Sequence, residues 1–204
     1  MIAKGSGYVR GNRQAAAARL TSHLKYTEHR SKDPERETRD DRRIFSKEDD
    51  VVNRKDAIED VMSHTSTSVN YHKVVLSPGQ DEPVSDWREW TRDVMKDLEE
   101  AQGRELHWYA VKHDNTDNPH VHVVIAGAGE NPETGKLEPV KLYTQDYQTM
   151  RESGREHSDY EHYHRIEELV KEYDSQERLE PTPERDQSRE VTSSHDFDRG
   201  DFDR

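Results

Sequence analysis

The stretch HWYAVKHDNTDNPHVHVVIAG, residues 107–127, constrains the fold more than any other part of the chain. ELHWYAVKH and PHVHVVIAG are rich in β-branched and aromatic residues and flank a polar DNTDN turn, the pattern of an antiparallel hairpin. Side chains alternate along a strand, so His120 and His122 project from one face about 7 Å apart while Val121 points to the packed side. A partner strand ending at His113 brings a third imidazole to that face. Three neutral imidazoles hold a divalent cation and leave positions open for water or a phosphate oxygen, a catalytic rather than a structural arrangement. A bare His-x-His also fits an exposed strand with unrelated histidines. The third histidine at hairpin distance favours the metal.

Around this hairpin the pattern alternates helices and strands. RQAAAARLTSHLKYTEHR reads as a helix, with Leu20 and Leu24 one turn apart and Tyr26 off their stripe. SKDPERETRDDRR is a charged linker, and SKEDDVVNRKDAIEDVMSH reads as a second helix with Val51, Val52, Ile58, Val61 and Met62 as its apolar members. VNYHKVVLSPG is a strand ended by Pro78 and Gly79. SDWREWTRDVMKDLEEAQG is the clearest helix: Ser85 can cap it, Trp87, Trp90, Val94, Leu98 and Ala101 form a stripe, and Gly103 stops it. GKLEPVKLY suggests a further strand and TQDYQTMRESGREHSDYEHYHRIEELVKEY a long, interrupted helix. The order points to an α+β fold with a central, mainly antiparallel sheet and flanking helices. Residues 1–173 form the folded domain. Residues 174–204, polar, acidic and closing on a repeated DFDR, read as a disordered tail.

With 204 residues, 29% hydrophobic and 37% charged, much of the length must be solvated. The absence of cysteine excludes disulfides, thiolate metal sites and cysteine nucleophiles, and fits a reducing cytoplasm. No apolar run approaches the roughly 18 residues that span a bilayer, and the start lacks the apolar core of a signal peptide, so a cytoplasmic protein without membrane insertion is expected. The formal charge of −13 argues against a general nucleic-acid binder. Its distribution matters more. Residues 1–31 hold six cations, among them Arg19, Lys25 and Arg30, against Glu28 alone, a net +5 that leaves −18 on the rest.

KHDNTDNPHVHVVIAG resembles the three-histidine signature of HUH endonucleases, and within them the relaxases of conjugative and mobilisable plasmids related to the T-DNA border nickase. TSHLKYTEHR is similar to the relaxase tyrosine motif, and HKVVLSPGQ to the strand ending in Ser-Pro that contacts DNA beside the nick. The resemblance covers roughly residues 8–155. It implies a site- and strand-specific single-stranded DNA endonuclease acting at an origin of transfer. Tyr26 would attack a phosphodiester, become joined to the 5′ phosphate and free a 3′ hydroxyl, reversibly. His113, His120 and His122 would hold the divalent ion, Mg²⁺ or Mn²⁺, that neutralises charge on the phosphate. Arg19, Lys25, Arg30 and Ser77 are the candidate DNA contacts, although Ser77 reads equally as a strand-ending turn residue. Asp114 is a candidate partner orienting a histidine, or an exposed turn acid. Relaxosome accessory or coupling proteins are further possible partners. Relaxases usually carry a helicase, primase or coupling region beyond the nickase, so helicase activity is not expected here.

Three rival readings remain at this level. A rolling-circle replication initiator shares the histidine site but places its tyrosine after it, which Tyr143 and Tyr147 fit, one helical turn apart. A noncatalytic relaxosome accessory module would bind DNA without nicking it. A water-using phosphoesterase would cleave without covalent attachment. Tyr8 has no flanking motif, and the second His-rich patch, HSDYEHYH at 157–164, reads as a solvated helix face.

Overall fold

The computed structural model describes residues 1–29, 42–79, 82–114, 118–159 and 170–171. Met1–Arg165 make one compact unit. The part of the predicted long helix past residue 159, apart from 170–171, most of the charged linker and the tail at 174–204 lie outside the described residues.

Five strands form the central sheet: β1 (Ile2–Val9), β2 (Phe45–Ser46), β3 (Tyr71–Ser77), β4 (Trp108–His113) and β5 (His120–Ala126), in the order β1-β3-β5-β4-β2. Every pairing is antiparallel. The predicted α+β class is thus the observed one, and the elements among the described residues include four flanking helices: α1 (Arg13–His29), α2 (Arg54–Ser63), α3 (Trp87–Gln102) and α4 (Thr144–Glu156). A separate ribbon of β6 (Ala128–Asn131) and β7 (Lys136–Pro139) uses the strand expected from GKLEPVKLY.

Two apolar layers sandwich the sheet. On one face Leu20 and Leu24 of α1 and Val61 and Met62 of α2 pack with Tyr71, Val111 and Val124. On the other, Trp90, Val94, Met95 and Leu98 of α3 and Met150 of α4 pack with Val74, Leu76, Val121, Val123 and Ile125. Each fully buried Leu contributes about 1.5–3 kcal/mol relative to exposure. Trp90 also donates its indole N–H to the Gly154 carbonyl at 2.9 Å, so its burial leaves no orphan donor.

α1 starts where Asn12 accepts from the Ala15 N–H at 3.0 Å. α3 ends at Gly103, whose φ of 63° places it in the left-handed region that favours glycine.

The local pattern and the structure differ at several places for identifiable reasons. The Gly-rich start is strand β1, because tertiary pairing with β3 overrides weak strand propensity. Packing favours Gly5 there: a Cβ would clash with the Tyr147 hydroxyl unless that ring shifted. α2 begins at Arg54, not at Ser46, because Asn53 caps it and Ser46 instead closes a turn with its hydroxyl accepting from Asp49 N–H at 3.1 Å. Val51 is consequently exposed and Val52 pairs through its N–H with Ile44. Asp86, not Ser85, caps α3, accepting from Arg88 and Glu89 N–H, and Ala101 faces solvent.

Candidate active site

The hairpin forms as the sequence predicts, and its register decides the site. His113 lies directly opposite His120, and Val111 opposite His122. The three imidazoles therefore meet on the α1 face, at the end of the hairpin that leads into the turn. Ring centroids lie 4.7 Å apart for His113 and His122, 4.8 Å for His120 and His122, and 5.4 Å for His113 and His120. One ligand nitrogen from each lies within 4.8 Å of the others.

Backbone carbonyls set the tautomers. His113 is buried, and its Nε2 donates to the Thr27 carbonyl at 2.8 Å, which makes Nδ1 the unprotonated nitrogen. Thr27 lies in the last turn of α1, where carbonyls have no intrahelical partner. One hydrogen bond thus fills an orphan acceptor and ties the helix end to the triad. His120 donates from Nδ1 to the Asn118 carbonyl at 2.9 Å, which directs its Nε2 lone pair toward His122 Nε2, 3.2 Å away. Nitrogens at that spacing match neighbouring ligands on one cation, which sit about 3–3.4 Å apart for bonds of about 2.1 Å. The donor set fits a divalent metal.

Electrostatics keep His122 neutral. Burial, followed by the neighbouring His113, His120, His23 and Lys73, pushes His122 down to about 3. His23 is a fourth imidazole, lying edge-on to His122 at 6.0 Å between centroids. Burial, then Lys73 and His113, lowers it to about 4.

The sequence reading missed His23 and Lys73. The signals were periodic: His23 precedes Tyr26 by three residues and follows Arg19 by four, so all three share a side of α1. Lys73 shares a face of β3 with Tyr71, Val75 and Ser77, and Val75 pairs with His122.

The other predicted residues fall as follows. Tyr26 lies in the last full turn of α1, 49% exposed and adjacent to Thr27. Arg19 and Lys25 are exposed on α1, while Arg30 lies outside the described residues. Ser77 is buried on the histidine face, and its hydroxyl donates to the Pro119 carbonyl at 2.8 Å, bracing the residue before His120. Asp114 pairs with Lys112 at 3.0 Å. Tyr147 belongs to the opposite layer, packed over Gly5, and Tyr143 is the exposed N-cap of α4. His157 pairs with Asp97 at 3.1 Å, while 160–164 of its patch are outside the described residues.

Beyond the end of α1, a groove of about 890 Å³ is lined by His29, Arg42, Arg43, Arg54 and Lys55 among others. Glu28 is bound there by Arg54. Among the described residues, no helix is long and apolar enough to cross a membrane.

Sheet and histidines together define an antiparallel α+β domain with a three-imidazole donor face on its central strands, the equipment of a metal-assisted enzyme of phosphodiester chemistry. The chain belongs to the MobA/VirD2-like relaxases: the model of that family's nuclease domain matches residues 26–179. It is therefore a DNA-nicking enzyme that binds single-stranded DNA. A comparison with curated proteins finds no match.

Proposed function

We propose that this relaxase nicks one strand at an origin of transfer, with Tyr26 as the nucleophile and His113, His120 and His122 as the metal ligands. The observation that carries the reading is the His113–Thr27 hydrogen bond, which couples the triad to the turn holding Tyr26. Attack by the Tyr26 phenolic oxygen on phosphorus breaks the bond to the 3′ oxygen and leaves the DNA 5′ phosphate esterified to the tyrosine. The phenolic proton passes to solvent, and the departing 3′ oxygen regains one. One ester replaces another, so the same geometry supports religation and strand transfer.

The bound ion supplies Lewis-acid stabilisation of the charge developing on the phosphate oxygens. His113, His120 and His122 would hold it. Nitrogen donors suit first-row transition ions better than Mg²⁺, so of the two expected ions Mn²⁺ is favoured. Lys73, on the same face, is a phosphate contact in addition to Arg19, Lys25 and Arg30. Ser77 serves the site by bracing Pro119 rather than by base contact. The groove beyond α1 offers a cationic path for the flanking single strand, and it accommodates the overall acidity because only the local field matters to the strand.

Tyr147 is disfavoured as an alternative nucleophile. It packs in the layer across the sheet from the histidines, and so does not serve the replication-initiator reading.

Single-stranded oligonucleotides tiled across DNA flanking the gene, incubated with protein and Mn²⁺ or Mg²⁺, should yield a protein–DNA adduct on a denaturing gel. The adduct should vanish in Tyr26→Phe and persist in Tyr147→Phe. Binding without adduct would favour an accessory module, and cleavage without adduct a water-using phosphoesterase. An adduct surviving loss of Tyr26 would overturn the assignment.

A further inference from the structure

A second histidine cluster sits at the other end of β4. Asp60 lies in the last turn of α2, His64 is the C-cap four residues on, and His107 immediately precedes β4. The His64 and His107 rings stack with centroids 3.4 Å apart and planes 9° from parallel. Their Nδ1 atoms bracket a single carboxylate: His64 Nδ1 is 3.2 Å from Asp60 Oδ1 and His107 Nδ1 is 3.1 Å from Asp60 Oδ2. One ligand atom from each residue lies within 4.8 Å of the others. His107 and His113 share a face of β4 six residues apart, which separates the two clusters by roughly 20 Å.

We propose that Asp60, His64 and His107 form a second metal site, taking a divalent first-row transition ion of the zinc class and clipping α2 to the head of β4. Two imidazoles and a carboxylate are a donor set for such ions, and contacts of 3.1–3.2 Å are the spacing of neighbouring ligands around one. The Tyr109 hydroxyl donates to Asp60 Oδ2 at 2.9 Å, holding the carboxylate in place as outer partners of metal ligands do. Asp60 and His107 open on a cavity of about 270 Å³ that Glu48, Asp49 and Glu105 also line. That cavity gives water access to the remaining coordination positions, and its carboxylates outnumber the one lining cation, Lys47. Ion entry requires each ligating ring to move its proton from Nδ1 to Nε2, and His64 Nδ1 to give up its contacts with the Asp60 carbonyl at 2.9 Å and the Ser63 hydroxyl at 3.0 Å. The site is structural: α2 opens with Asn53, Arg54 and Lys55, which line the cationic groove, so fixing α2 fixes that wall.

The proposal stands independently of the relaxase reading. Untagged, chelator-treated full-length protein is titrated with Zn²⁺ by equilibrium dialysis, and its melting temperature is followed with and without Zn²⁺. His64→Ala and His107→Ala should each lose one equivalent and the part of the Zn²⁺-dependent rise in Tm that it provides. Both should retain the equivalent that His120→Ala removes. Circular dichroism checks folding, and His64→Gln, which keeps most of the stacked volume, should lose the same equivalent. An unchanged stoichiometry in His64→Ala and His107→Ala overturns this site. An unchanged stoichiometry in His120→Ala alone overturns the triad instead.

Discussion

The two faces of the sheet differ in what their helices do. Against α3 and α4 the strands present Val74, Leu76, Val121, Val123 and Ile125, closed over by Trp90, Met95 and Leu98. Against α1 and α2 the same strands present Tyr71, Val111 and Val124 at one end, and at the other Ser77, His113, His120 and His122. One layer is mainly apolar, with His72 at one end bonded to the Val140 carbonyl and Lys112 at the other lying over Trp87. The other gives up apolar contacts where α1 runs out, and uses the orphan carbonyl of Thr27 to hold a histidine. Alternation along β5 makes this possible, because a single strand delivers valines to one layer and imidazoles to the other. The comparison teaches that stability and chemistry are separated across the thickness of the sheet, so substitutions on the two faces should fail in different ways.

The sharpest way to break that separation is to exchange its extremes. His120→Ala should reduce nicking by more than about a hundredfold while leaving the metal-free melting temperature nearly unchanged. Leu98→Ala should cost about 2–5 kcal/mol in denaturant unfolding while leaving nicking per folded molecule intact. A large stability loss in the first, or a catalytic loss in the second, would mean that the faces are not separable.

Next in size is Gly5→Ala, whose added carbon meets the Tyr147 hydroxyl. Overpacking should destabilise by about 1–3 kcal/mol. Tyr147→Phe in the same chain should recover part of it, which a double-mutant cycle on urea unfolding measures.

Acid should then act mainly through the histidines. In metal-free protein His23 and His122 are lowered to about 4 and about 3 from the usual 6.5, and burial lowers His72 as well. Below pH 6.5 the unfolded chain takes up protons that the folded chain refuses, so stability must fall as pH falls from about 6.5 toward 4. The melting temperature in chelator should drop across that window, and less so in His23→Ala/His122→Ala. An equal drop in the double variant would place the acid sensitivity elsewhere.

The smallest effect concerns Lys73. Lys73→Met should lower the slope of log affinity against log salt for single-stranded DNA by about 1, with melting unchanged. A slope equal to that of the unaltered protein would remove Lys73 from the DNA path.

Much of the site was legible from residues 107–127, because a two-residue period and a short polar turn fix which side chains share a face before any coordinates exist. The same local logic read α1 and α3, where alanine propensity and a regular apolar stripe agree with the tertiary outcome. It misread the start of α2, where Asn53 and the Ser46 turn compete with helix for the same backbone groups. It missed β1, whose glycines look like loop until β3 supplies hydrogen bonds and Tyr147 explains Gly5. His23, Lys73 and the Asp60–His64–His107 cluster have periodic spacing in the sequence, but each acquires its role only from a partner on another element.

The sequence by itself determined the hairpin, its three histidines, the tyrosine-bearing helix and the resemblance to relaxases, since all depend on short-range periodicity and residue chemistry. Tertiary structure alone decided that the His113 ring is tied to the last turn of α1, that Tyr147 lies across the sheet, and that a second imidazole pair stacks at the far end of β4. Those outcomes depend on strand order and on which helix covers which face. Contacts between residues far apart in the chain set both, and no local pattern encodes them.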